Sequence, residues 1–132
     1  MDKFGNVLLC DAVYVDRTSN KAVLAGVFSG DILVKELPVT FSAAIYAEYW
    51  PKRAGDISVD LMIFVNDIKI GGAKLEMSDV RIDGAAMLVV PSYQFVFEKT
   101  GTLEIHASVD GSAPVSILSK KLEFVESSVF VA

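Results

Sequence analysis

Between Ile57 and Val65 the chain reads ISVDLMIFV, with Ile57, Val59, Leu61, Ile63 and Val65 on one alternation set and Ser58 and Asp60 on the other. A period of two matches the pleat of a strand, whose successive side chains leave on opposite faces; a helix would scatter those residues around its axis. The same period returns in TLEIHASV, where Leu103, Ile105, Ala107 and Val109 alternate with Thr102, Glu104, His106 and Ser108. It returns again in VTFSAAIYAEYW, where Phe41, Ala43, Ile45, Ala47 and Tyr49 share one face and Thr40, Ser42, Ala44, Tyr46 and Glu48 the other. No window longer than about ten residues fits a capped amphipathic helix better than a strand.

Turn residues divide the remaining apolar runs. Polar DRTSN separates NVLLCDAVYV from KAVLAGVF, which predicts a hairpin. The first of these runs, Asn6 to Val15, is apolar on both alternation sets apart from Asp11, as expected of a strand buried on both sides. SGDILVKELP reads as a connection lying against the domain, a crossover between sheets. Asn66-Asp67 turns the chain into IKIGGAKLEM, where Gly71-Gly72 predicts a bulge or bend. Pro91-Ser92 divides AAMLVV from YQFVFE, and Asp110-Gly111-Ser112 leads into the last run, PVSILSKKLEFV. About eight strands without intervening helices predict an all-β, antiparallel β-sandwich, with a closed β-barrel as the alternative. A length of 132 residues predicts a single domain spanning 1–132.

The opening LLCDAVYVDRTSNKAVLAGVFSGDI, followed by LPVTFSAAIYAEY, resembles a family of small uncharacterised bacterial and phage proteins. The closing FVFEKTGTLEIHASVDGSAPVSILSKKLEFV is similar to the end of such domains, although Thr100 and Thr102-Leu103 stand where common versions carry proline and an aromatic. The resemblance covers nearly the whole chain and implies an immunoglobulin-like sandwich. It implies no catalytic activity.

Composition removes several classes of function. A net charge of −5 opposes binding to a phosphate backbone, which needs clustered Lys or Arg, so no nucleic acid partner is expected. The basic pairs Lys52-Arg53 and Lys120-Lys121 are too short for a polybasic membrane footprint, and no membrane partner is expected. The hydrophobic content of 52% is carried in short segments, none approaching a spanning helix. Cys10 and His106 are the single residues of their types, which leaves no framework for a disulfide or a zinc site. With VLL too short for a signal-peptide core, the expected location is the cytoplasm. No metal or other cofactor is expected.

The chemistry-bearing residues are isolated. Asp11 would cost several kcal/mol if buried without a partner, so it is expected at a strand end or taking hydrogen bonds from a turn. His106 lies on the polar face with Glu104 and Ser108, and positions two apart on one strand face stand roughly 7 Å apart, beyond hydrogen-bond reach. Cys10, flanked by apolar residues, reads as an inert core thiol. The surface features with most promise are aromatic. Tyr46 and Trp50, beside Lys52 and Arg53, form a candidate exposed anchor, since aromatic and Arg side chains dominate interface hot spots. The other candidate is the apolar terminus, with Val129, Phe130 and Val131 docking on the chain's own sandwich, pairing with a second copy or extending a partner's sheet. The function expected is non-enzymatic protein interaction, as a homo-oligomer or with a protein partner. The alternative is a small-ligand or carbohydrate-binding module.

Overall fold

The computed structural model describes residues 3–125. It contains nine strands: β1 (Lys3–Asp16), β2 (Lys21–Val27), β3 (Ile32–Val34), β4 (Val39–Trp50), β5 (Gly55–Val65), β6 (Ile68–Val80), β7 (Ala86–Phe97), β8 (Gly101–Val109) and β9 (Val115–Phe124). They form two open sheets, ordered β2-β1-β4-β7 and β3-β9-β8-β5-β6. All pairings are antiparallel except that of β3 with β9. Two facing sheets make a β-sandwich, and each keeps two edge strands, unlike a closed barrel.

The alternating residues meet between the layers. Leu9, Ile45, Tyr49, Val59, Ile63, Phe95, Leu103, Ile105 and Leu122 are fully or almost fully buried in one cluster with Phe97 and Ile57. Each large apolar side chain so buried contributes about 1.5–3 kcal/mol. An aromatic row crosses this layer, with Phe41 stacked on Phe95 at 5.4 Å and Tyr93 tilted against Phe95 at 5.1 Å. The connections β4–β5, β6–β7 and β7–β8 each pass from one sheet to the other.

Three local readings change. The segment SGDILVKELP does cross between sheets, but Ile32–Val34 within it pairs with Leu122–Phe124 as the short parallel strand β3. AAMLVV and YQFVFE are one strand, β7, whose irregularity falls between the pairs Ala43–Tyr93 and Ile45–Val90. Pro91 is accepted there because β7 is an edge strand and its ladder is already interrupted. In β6 the register shifts between Ile63–Gly71 and Phe64–Lys69, so the extra residue is Ile70, just before the glycine pair. Gly72 is required for a second reason: a Cβ there would strike the carbonyl oxygen of Leu61.

The largest departure is in β1, which is not buried on both sides along its length. Its pairing with β4 stops at Cys10–Ala44, whereas its pairing with β2 continues to Asp16–Lys21. From Asp11 onward, β1 and β2 form a two-stranded arm. Here an apolar character on both faces marks partial exposure on both faces, and Tyr14, Val15, Val23 and Val27 are open to solvent.

Candidate functional site

Trp50 ends β4 on the outward face of its sheet, opposite Lys3. Its ring lies over Gly5, where a Cβ would collide with it, and the Lys3 ammonium stands 5.4 Å from the ring centroid. The indole is therefore half-buried and pinned on one face by a cation–π contact. Tyr46, four residues earlier in β4, is only 9% exposed, which corrects the expectation of an exposed anchor at that position. Its hydroxyl donates to Glu48 Oε2 at 2.7 Å, while Asn6 Nδ2 donates to Glu48 Oε1 at 2.6 Å. Burial first, then the Glu48 carboxylate, pushes the Tyr46 phenol up to about 12, so it stays protonated.

Lys52 and Arg53 are exposed in the loop that follows. The Arg53 guanidinium pairs with Asp110 at 2.5 Å and donates to the Asp56 carbonyl at 2.9 Å. Asp110 Oδ1 accepts the Ser58 N–H at 3.0 Å. The Ser58 N–H, and after it Arg53, hold the Asp110 carboxyl below its ordinary value. Lys52 borders an apolar groove of about 520 Å³ floored by Ala107 and Val109, with Phe4 and Val115 beside it. The four candidates of this segment therefore separate: Trp50, Lys52 and Arg53 gather at one end of the sandwich, and Tyr46 belongs to the covered strip behind them. Val129, Phe130 and Val131 lie outside the described residues.

His106 Nε2 is 3.3 Å from Glu104 Oε1, closer than the backbone spacing predicts, because two long side chains lean together along the strand. The Phe64 ring packs against the imidazole at 4.6 Å. Ser116 approaches Glu104 at 3.5 Å, so the carboxylate lies between hydroxyl and imidazole; general-base activation of a serine needs the imidazole in the middle. Asp11 is exposed. Cys10 is fully buried with its S–H directed at the Ala12 carbonyl at 3.5 Å, and burial pushes the thiol up. Among the described residues no group of three or more His, Cys, Asp or Glu side chains could hold a metal ion, and no helix is long and apolar enough to cross a membrane.

The arm is the feature that sequence reasoning missed. Tyr14 and Val23 are direct cross-strand partners, each 63% exposed, and Ala12 opposite Ala25 continues their face toward Cys10 opposite Val27. Gly26, at φ +65°, faces Asp11, whose carboxylate fills the space a Cβ would take. The signal was present as a lack of strict alternation in both strands, which buried and unsupported strands share. The arrangement offers an apolar face together with a free strand edge, the two requirements for adding another strand.

No family model matches the sequence, and no curated protein matches it. Solved structures do match. One, described as a novel β-glucosidase from Erythrobacter marinus, aligns over 93% of this chain at 13% identity with a TM-score of 0.44, and this chain spans 15% of that one.

Proposed function

We propose that this chain is a non-enzymatic, immunoglobulin-like β-sandwich that acts in the cytoplasm through protein contacts, by self-association or with a protein partner, and that the β1–β2 arm is its interaction surface. The observation that carries the reading is the one-sided pairing of the arm: among the described residues its strands pair past Cys10 only with each other, yet they present Tyr14 and Val23 to solvent. An isolated two-stranded hairpin is marginally stable in water, so a sandwich that keeps one gains from covering it. The test is a combined Tyr14→Ser and Val23→Ser variant, compared with the parent chain in sedimentation and in affinity capture. The expected result is lost assembly with the β-sheet circular dichroism of the parent retained; assembly equal to the parent sinks the reading.

The groove beside Lys52 favours a second reading, a small-ligand or carbohydrate-binding module. Titration of the Trp50 fluorescence with a glycan panel tests it, and an unresponsive indole removes it.

A further inference from the structure

Phe4 on β1 and Ala107, Val109 and Val115 on β8 and β9 meet at a lateral mouth of the sandwich, where both sheets are narrow. β2 pairs with β1 only from Cys10 onward, and β3 pairs with β9 only from Leu122 onward. Among the described residues, the Phe4 end of β1 and the Val115 end of β9 therefore have no neighbouring strand on that side. The inward row of β8 runs Leu103, Ile105, Ala107 and Val109, and its smallest side chain falls at this mouth. Ala107 and the equally small Ala113 leave space that longer side chains would fill, and the result is the groove of about 520 Å³. Its floor is continuous with the core: Ala107 and Val109 belong to the buried cluster, and Phe4 leans on the fully buried Tyr49 ring at 5.0 Å. Val115 on its wall is 55% exposed.

We propose that this groove binds a small amphipathic anion, an alkyl or aromatic body ending in one carboxylate; this rests on the second reading, of the groove as a small-ligand site, and names its ligand class. Small-molecule sites of about 300–1,000 Å³ pair an apolar lining with a few polar groups that fix orientation. Two polar side chains line this groove, and both offer hydrogens. Lys52 is the only charged residue of the lining. Ser112 Oγ accepts the Val109 N–H at 3.2 Å, which leaves its own hydrogen to donate. Among the described residues no carboxylate lines the groove. Asp110, in an adjoining cleft that shares Lys52 and Val109 with it, already takes Arg53 on Oδ2 and the Ser58 N–H on Oδ1. Donors without a charged acceptor complement an anionic head, while an apolar body covers Val115 and the rim of the core, removing that surface from water. A sugar, with hydroxyls on every side, would set most of them against Ala107, Val109 and Phe4 without partners.

Titration of the isotope-labelled chain with octanoate and with 1-octanol, followed through its amide shifts by NMR, tests the proposal. Octanoate, ionised at neutral pH, is expected to bind saturably and more tightly than octanol, with the shifts centred on residues 107–115 and on Lys52. The order is diagnostic, because a slot that is merely apolar favours the alcohol: burying a carboxylate without a partner costs more than burying a hydroxyl. Lys52→Gln is expected to weaken octanoate about threefold and to leave octanol unchanged, whereas Lys52→Arg keeps the octanoate affinity. Ala113→Trp, at an exposed loop position, fills the groove and is expected to abolish binding of both. Octanol bound as tightly as octanoate, or octanoate indifferent to Lys52→Gln, overturns the anion as ligand and leaves the groove as a small-ligand site. Binding of neither compound, or shifts centred elsewhere, overturns the groove itself and the second reading with it.

Discussion

The middle of the sandwich and the β1–β2 arm are built from nearly the same residue types and end in opposite physical states. β5 and β8 hold Ile63 and Ile105 as direct partners, both fully buried, with strands on either side and a second sheet above. In the arm, Tyr14 and Val23 are likewise direct partners with large, mostly apolar side chains, yet they are exposed and paired on one side. Apolar content does not decide burial; the number of neighbouring strands and the presence of a facing layer do.

The contrast is sharpest in core deletions. Phe95→Ala, at a fully buried ring stacked on Phe41, should destabilise by about 3–5 kcal/mol in urea unfolding, whereas Val23→Ser should stay within about 0.5 kcal/mol. An equal cost at the two positions would show that the arm is packed as firmly as the body. Glycine replacements come next. Gly72→Ala must force the Leu61 carbonyl aside and should cost about 1–3 kcal/mol, while Gly26→Ala meets only the movable Asp11 side chain and a positive φ, and should cost about 1 kcal/mol. Thermal melts of the two variants check that order.

A smaller effect separates two turns by pH. Asp110 at the body end and Asp16 at the arm tip are both held below their ordinary values, Asp110 chiefly by the Ser58 N–H and then Arg53, Asp16 chiefly by the side chains of Thr18 and Ser19. A depressed carboxyl stabilises above its unfolded value, near pH 4, and that contribution is lost as pH falls through the lower folded value. Urea midpoints of the parent and of Asp110→Asn should therefore differ at pH 7 and converge below about pH 4. Asp110 ties β5 to the loop after β4, so its variant should show the larger gap; Asp16→Asn, which touches only its own turn, should show little.

How far the sequence carried these distinctions can be followed residue by residue. Alternation placed Phe41, Ile45 and Tyr49 on the buried face and separated Tyr49 from Tyr46, because a pleat leaves no other option. Turn chemistry placed the hairpins at DRTSN, Asn66-Asp67 and Asp110-Gly111-Ser112, where Asn20, Asn66, Asp67 and Asp110 adopt positive φ. What alternation does not carry is lateral position. Pro91 looked like a break because a proline ends a central strand, and only the edge placement of β7 makes it harmless. Tyr46 looked exposed because its face is polar in composition, but Leu8, Cys10 and Ala44 on neighbouring positions make that face a second, thinner apolar strip. Three residues of β3 are too few to generate a period at all.

Cys10 stands at the joint between the two regions, facing Val27 of the arm on one side and Ala44 of the body on the other. Its sulfur is sealed and, with its thiol pushed up by burial, slow to ionise. A thiol reagent can reach it only when that joint opens. The chain's lone thiol thus acts as an inbuilt stopwatch: the rate at which it is labelled measures how often the arm lifts away, and anything that clamps the arm slows the clock without a probe having to be introduced.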